Sequence, residues 1–334
     1  MTVHFEKRVL VTGGAGFIGS HFLHRFVLQY PQYHFTCIDK LNYASNFENI
    51  SDLQNLNNFK FIKLDLSESF EQLYEFLVTN FHQTEITEFI NFAAESCVDR
   101  SLRDPLYFTR NNILATQNLL ECYRALRNKY KDIDFRFIHI STDEVYGDIS
   151  INTTEDTVLC PTNPYAATKA ALDLIIKSYQ YSFKLPVTIL RPNNVYGPNQ
   201  YPEKIIPLII KCLKEQTLIP IHGDGSNRRR YLYISDFLDA IEVVWHSIRQ
   251  DSLGETYNIG GCDEIDNISL VKLICQRYFK NPNVNFTKHV QFVKDRGYND
   301  SEYSTNSDKL KALDWEPTIT LDKGIDKILE KEFK

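Results

Sequence analysis

The segment Val9-Leu10-Val11-Thr12-Gly13-Gly14-Ala15-Gly16-Phe17-Ile18-Gly19 leaves few ways for this chain to begin folding. An apolar run of strand length enters a glycine turn, and an apolar-faced helical pattern leaves it. Gly13 permits the tight turn, Gly16 lets a backbone approach a pyrophosphate, and Gly19 allows helix to pack closely on strand; the helix N-terminus offers unpaired N–H groups to phosphate oxygens. Glycine spacing alone is a weak signal. Here the second apolar run ends at Asp39, about 20 residues on, where an acid accepts from a ribose 2′-OH. That carboxylate would repel a 2′-phosphate, so the pattern favours NAD over NADP, with Lys40 beside it partly offsetting the charge. Asp65, ending the third apolar run, reads either as a neighbour of the adenine or as a helix cap.

Further strand-length runs, Phe59–Leu64, Phe89–Phe92, Phe135–Ser141 and Val187–Leu190, alternate with helical patterns. Buried runs between helices predict a parallel sheet with right-handed crossovers, an α/β fold of the doubly wound kind. Apolar residues recur at three and four positions in Pro105–Lys129 and Thr162–Phe183, which are read as long helices. After Arg191 the chain becomes punctuated by Pro, Asn and Gly, so a smaller C-terminal substrate-binding lobe is expected there. The expected division assigns 1–191, joined by 234–260, to the dinucleotide-binding domain, and 192–233 with 261–334 to the second lobe.

With 334 residues, 43% of them hydrophobic, the chain can bury a full core. A net charge of −6 argues against a nucleic-acid partner, since neutralising phosphates needs a basic face. The seven cysteines are scattered without a C-x-x-C, and the nine histidines show no ligand spacing, so neither disulfides nor a metal is expected. The first strand begins by Arg8 and no stretch reaches membrane-spanning length, which gives the expectation of a cytoplasmic protein without a membrane partner.

Asp143 and Glu144 lie side by side in Ser141-Thr142-Asp143-Glu144-Val145-Tyr146-Gly147, directly after an apolar run. Adjacent carboxylates in a loop are commonly a solvated surface feature. These follow the carboxyl end of a parallel strand, where doubly wound sheets bind ligands, and together can supply an acid and a base. Tyr165 and Lys169 are four apart on the next helix and share a face. An ammonium near a phenol, together with a positive nicotinamide, makes the phenol usable as a base toward a sugar hydroxyl.

The segments VTGGAGFIGSH, IDKLNYASN, AAESCVDRS, FTRNNI, STDEVYGD, NPYAATKAALD, NNVYGPNQYPEKIIPLII, GDGSNRRRYLYISD, YNIGG and DRGYNDSEY occur in that order over nearly the whole chain. In these the chain resembles the extended short-chain dehydrogenase/reductases, specifically the nucleotide-sugar 4,6-dehydratases acting on dTDP-glucose or UDP-glucose. The resemblance implies a Rossmann-type sheet and NAD used as a catalyst without net consumption. Tyr165 would take the C4 hydroxyl proton, supported by Lys169, with Thr142 bonding the C4 oxygen. Glu144 would remove the C5 proton while Asp143 protonates the departing C6 hydroxyl.

By the same resemblance, cofactor contacts fall on Gly13, Gly16, Phe17, Ile18, Gly19, Asp39, Lys40, Leu41, Asn42, Asp65, Leu66, Phe92, Ala93, Ala94, Ser96, Asn111, Ser141, Tyr165, Lys169 and Val195. Nucleotide-sugar contacts fall on Ser96, Thr142, Asn194, Glu203, Lys204, Pro220, Ile221, His222, Arg229, Asn258, Arg296, Asn299 and Tyr303. Arg229 suits the diphosphate because a guanidinium presents paired donors to phosphate oxygens. The sequence departs from the bacterial dTDP-glucose pattern: Cys97 stands for a histidine, Asn111 for a threonine, Val195 for an asparagine, and Gly297-Tyr298-Asn299 for Pro-Gly-His. Several segments look closer to the eukaryotic branch, which includes the dehydratase domain of plant rhamnose synthases. For Cys97 a packing role is expected rather than a nucleophile. The resemblance also implies a homodimer through the two long helices.

Three alternatives stand beside this reading. A 4-epimerase would share the glycine turn and Tyr165/Lys169 but needs no acid for elimination. A UDP-glucuronate decarboxylase carries the glutamate, typically after serine rather than Asp143. A non-catalytic NAD-binding scaffold would need neither carboxylate.

Overall fold

Each apolar run becomes a strand, buried along most of its length except Phe59–Lys63, where only Phe59 is buried. The structure, a computed structural model, describes residues 5–84, 86–247, 254–295, 297 and 299–332. Strands β1 (Lys7–Thr12), β2 (Tyr33–Asp39), β3 (Phe59–Lys63), β4 (Glu88–Asn91), β5 (Arg136–Ile140), β6 (Val187–Pro192) and β7 (Thr256–Ile259) form one seven-stranded sheet. Their order is β3-β2-β1-β4-β5-β6-β7, which reverses direction at β1. The pairs from β3 through β6 run parallel. Helices α1 (Phe17–Gln29), α2 (Phe70–Thr84), α3 (Ala115–Lys129) and α4 (Pro164–Phe183) lie in the crossovers between successive strands. This is the Rossmann-type doubly wound arrangement, in which ligands bind beyond the strands' carboxyl ends at the switch of order.

Leu10, Ile38, Phe89, Leu119, Leu120, Tyr123, Phe137 and Val187 belong to one continuous apolar core. Burying each such side chain contributes roughly 1.5–3 kcal/mol, and the phenol of Tyr123 is satisfied by the Phe135 carbonyl at 3.0 Å. The expected single helix over Pro105–Lys129 is three pieces: Pro105–Phe108, a π-helical turn at Thr109–Leu114, and α3. Asn111 and Asn112 within the widened turn are both buried, 7% and 0% exposed, and both make side-chain hydrogen bonds.

By its contacts the chain divides into two units, Met1–Ser141 with Ala167–Leu190 and Ser247–Thr256, and Thr142–Ala166 with Arg191–His246 and Tyr257–Lys334. This differs from the division read in the sequence. The segment Ile234–His246, expected with the first domain, belongs to the second unit: Asp236 accepts from Thr318 and Ile319 backbone N–H groups at 2.9 and 2.8 Å, and its carbonyl from Trp315 Nε1 at 3.0 Å. The segment Thr142–Ala166 does likewise, because Ile149–Thr153 pairs in parallel with Tyr303–Thr305 and Thr162 donates to Asp300 at 2.7 Å. Ile248, expected to end a helix, lies outside the described residues.

The second unit also holds a three-stranded sheet of Asn194–Tyr196, Arg228–Tyr233 and Asp263–Asp266. Ile219–His222 pairs in parallel with Val290–Val293. Among the described residues no helix is long and apolar enough to cross a membrane, and no cluster of His, Cys, Asp and Glu could hold a metal. All seven cysteines are free thiols, with Cys97 buried.

Candidate active site

In the first unit, the glycine turn follows β1 and opens α1. Gly13 adopts φ +71°, and a Cβ there would lie 2.6 Å from the Ala93 backbone nitrogen. A Cβ on Gly19 would strike the Gly13 carbonyl oxygen, whereas one on Gly16 would meet only that same oxygen at 3.3 Å. Gly19 therefore lets α1 close on the turn itself. Gly16 caps α1 without any side-chain acceptor, and the first turn carries no acidic residue. The helix N-terminus thus keeps its N–H donors and its positive dipole end for an anion.

Asp39 ends β2, 8% exposed, and ties the turn to the strand by accepting from Ala15 N–H at 3.0 Å and Leu41 N–H at 2.8 Å. A carboxylate has about four acceptor positions, so capacity for ribose hydroxyls remains. Ser141 Oγ, at the end of β5, is buried and without a hydrogen-bond partner among the described residues. An open helix N-terminus, an acid at the strand end and an orphaned hydroxyl fit a bound dinucleotide. Phe92 to Ala94 follow β4, the backbone of Phe92 and Ala93 packed against Gly13, and Ser96 lies partly buried beyond them.

Asp65 is held as a turn cap, Oδ1 accepting from Ser67 N–H and Oγ at 2.9 and 2.8 Å. Leu66 is buried and its carbonyl accepts from Asn118. Lys40 donates to Asn111 and lies 3.7 Å from Asp65 and 3.8 Å from Glu95. Glu95, 2% exposed, also accepts from Asn42 and from the Tyr107 hydroxyl. Burial raises the Glu95 pKa, opposed by Lys40. Asn111 and Asn42 are therefore hydrogen-bonded within the protein.

In the second unit, Thr142 Oγ1 accepts from Glu144 N–H at 3.3 Å and starts the tight turn Asp143–Tyr146. Asp143 is 2% exposed; its Oδ2 accepts from Asn193 Nδ2 at 2.7 Å and its Oδ1 from Thr142 Oγ1 at 3.2 Å. Burial, and next the Glu144 charge, push the Asp143 pKa up to about 7, while Asn193, Thr142 and Arg229 oppose the rise. Glu144, partly buried, accepts from Asn163 Nδ2 at 3.3 Å. Burial raises its pKa too, opposed by the charges of Lys204 and Arg229. Adjacent buried carboxyls with both pKa values raised can share one proton.

The strand Arg228–Tyr233 explains which arginine is available. Side chains alternate along a strand, and Arg228 and Arg230 both turn to Glu264, at 2.5 and 3.5 Å. Arg229 points the other way, its guanidinium 4.6 Å from the Tyr303 ring centre and donating to the Asp300 carbonyl at 2.9 Å and Asn299 Oδ1 at 3.4 Å. The Tyr303 hydroxyl, buried, donates to Asp300. Asn194, Val195, Glu203 and Lys204 are partly buried, and Pro220, Ile221 and His222 lie on Ile219–His222, where Ile221 is core at 2% exposure. Asn258 is wholly buried: it accepts from the Tyr146 hydroxyl at 2.7 Å and donates to the Thr153 carbonyl at 3.2 Å. Arg296 lies outside the described residues.

Tyr165 and Lys169 sit one turn apart at the start of α4, 7% and 3% exposed. Asn163 caps this helix by accepting from Ala166 N–H at 2.9 Å. Lys169 donates to the Ile140 carbonyl at the end of β5, at 2.5 Å. Burial pushes its pKa down to about 8, opposed by Asp173.

A family model described as GDP-mannose 4,6 dehydratase matches residues 10–328. The human dTDP-D-glucose 4,6-dehydratase is 38% identical over 328 residues, covering 98% of this chain and 90% of the relative. The chain belongs to the nucleotide-sugar 4,6-dehydratases of the extended short-chain dehydrogenase/reductase family. A trifunctional UDP-glucose 4,6-dehydratase/UDP-4-keto-6-deoxy-D-glucose 3,5-epimerase/UDP-4-keto-L-rhamnose-reductase of Arabidopsis thaliana is 40% identical over 99% of the chain, which spans 47% of that protein's length. The crystal structure of dTDP-glucose 4,6-dehydratase from Streptomyces venezuelae with NAD and TYD bound superposes with a TM-score of 0.86 at 35% identity, covering 97% of this chain and 96% of that one.

In this dehydratase the sequence reading did not single out Asn193, Asp300 or Glu95, and read Asn163, with Pro164, only as the cap-like start of a helix. Asn193 and Asn163 each hold one of the two adjacent carboxylates, and Asp300 anchors Tyr303 and Thr162. Asn193 sits beside Asn194 in a quoted segment, yet nothing in the sequence says which neighbour turns inward. Its pairing with Asp143 spans 50 positions.

Proposed function

We propose that this dehydratase converts UDP-glucose or dTDP-glucose to the corresponding 4-keto-6-deoxyglucose nucleotide by internal oxidation, loss of water and reduction. NAD, when bound, accepts the hydride from C4 and returns it to C6. Tyr165 removes the C4 hydroxyl proton; Lys169, buried one helical turn away and fixed by the Ile140 carbonyl, supports the phenolate. Thr142 steadies the C4 oxygen. The resulting ketone acidifies C5, from which Glu144 takes a proton while Asp143 gives one to the C6 oxygen, so water departs. Gly13, Gly16 and Gly19 with Asp39 hold the dinucleotide, and Arg229 pairs with the sugar diphosphate.

The observation that carries the reading is Asp143: a carboxyl 2% exposed, directly beside Glu144 and held by Asn193 and Thr142, whose burial raises its pKa toward neutrality, suits the acid that elimination needs. An epimerase has no use for it. The test is incubation with each nucleotide sugar, followed by the near-ultraviolet absorbance that alkali develops from a 4-keto sugar. Signal with one substrate establishes dehydration and its base preference; bound NAD with no signal from either overturns the reading.

The product suits a route to rhamnose or another deoxysugar, a placement supported by the plant relative's name. A homodimer is supported by apolar side chains left exposed on elements of the first unit: Leu106 at 80%, Leu174 at 58%, Tyr181 at 77%. Light scattering that gives a monomer at micromolar concentration refutes it. Free thiols throughout fit the reducing cytoplasm.

A further inference from the structure

We propose that Asn193 is a positioning residue that assigns the transferable proton of Asp143 to Oδ1, making that carboxyl a one-sided donor. The proposal rests on the dehydratase reading and deepens it. Asn193 is 3% exposed, and its amide has only one orientation: Oδ1 accepts from Gly261 N–H at 3.1 Å, which turns the NH2 toward Asp143. That NH2 donates to Asp143 Oδ2 at 2.7 Å and to Thr305 Oγ1 at 3.1 Å. An amide NH2 cannot accept, so a proton on Asp143 Oδ2 would collide with a donor. The other oxygen, Oδ1, faces the Thr142 hydroxyl at 3.2 Å, which can both donate and accept. Oδ1 therefore carries the proton in the acid form and accepts from Thr142 after the proton has gone.

In the elimination the Asp143 Oδ1–H bond breaks and its proton joins the C6 oxygen. The C6–O bond breaks with its electron pair, releasing water. The C5–H pair becomes the C5–C6 double bond as the C5 proton passes to Glu144. Asn193 touches none of the reacting atoms; it decides which Asp143 oxygen is free to give the proton. It also favours the ionised carboxyl, as do Thr142 and the Arg229 charge, whereas the Glu144 charge and burial oppose ionisation.

The test uses the NAD-loaded enzyme and two variants. Asn193→Asp keeps the acceptor for Gly261 N–H and removes the donor; Asn193→Ala removes both. Absorbance at 340 nm after mixing with the nucleotide sugar reports C4 oxidation, and the alkali assay reports product, each across a pH series. Expected are C4 oxidation within about threefold of wild type, elimination slowed on the order of 10–100-fold so that the 340 nm signal accumulates, and a basic limb of the elimination moved to higher pH. The direction follows because losing a donor to the carboxylate makes Asp143 harder to ionise. A slowed elimination with an unmoved basic limb gives Asn193 only a structural part and overturns the proposal. So do loss of C4 oxidation with NAD retained, and failure of both variants to hold NAD. If wild type gives neither signal with either sugar, the dehydratase reading itself has failed.

Discussion

The glycine turn of the first unit and the carboxylate pair of the second are built by opposite means. Around the turn, backbone does the work: Gly13 clears the Ala93 backbone, Gly19 clears Gly13, and Asp39 is fastened by two N–H groups close to it in the fold. Around Asp143 and Glu144, side chains do it. Burial raises the pKa of both carboxyls, and Asn193, Asn163, Arg229 and Lys204 oppose the rise by hydrogen bonds and charge. Phosphate recognition needs only fixed donors, which a backbone supplies. Acid–base work needs tuned titration, which a backbone cannot supply alone.

The sharpest way to break the contrast is to remove one carboxyl. Asp143→Asn and Glu144→Gln should each cost product formation on the order of 10³-fold while NAD stays bound, read from the alkali assay and the cofactor content of purified protein. Near-normal turnover in either would strip that residue of its role. Gly13→Val should do the reverse, emptying the dinucleotide site and costing roughly 2–4 kcal/mol in denaturant unfolding, because the residue is at φ +71° and its Cβ has no room.

How far the sequence could be read follows the same divide. The glycine turn, Asp39 and the alternation of strands with helices along the chain were legible because strand, turn and helix signals are local, as was the spacing of Tyr165 and Lys169 by one helical turn. The π-helical turn at Thr109–Leu114 was not, since helical periodicity does not register one extra residue per turn. Nor was the assignment of Ile234–His246, whose place is set by Asp236 accepting from Thr318 and Ile319 far along the chain. The partners of Asp143 and the hydrogen bond of Asn258 with Tyr146, 112 positions away, exist only once the chain is folded.

Two smaller effects refine the contrast. Arg229→Ala should raise KM for the nucleotide sugar about 10–100-fold, whereas Arg228→Ala, whose guanidinium is half-exposed against Glu264, should change KM less than about threefold. Equal effects would mean that strand alternation does not select the diphosphate partner. In the pH profile, the proposed elimination requires Asp143 protonated. Its pKa is raised to about 7, so the rate should hold through neutral pH and fall about tenfold per unit well above that value. A limb near pH 4 would place Asp143 in the ordinary carboxylate range.

The most direct measurement follows one hydrogen. A nucleoside-diphosphate glucose carrying deuterium at C4, turned over by the NAD-loaded enzyme, should give a 4-keto-6-deoxy product with the deuterium on C6. Deuterium recovered at C4 of a dehydrated or epimerised sugar, or lost to solvent, would contradict the dehydration mechanism.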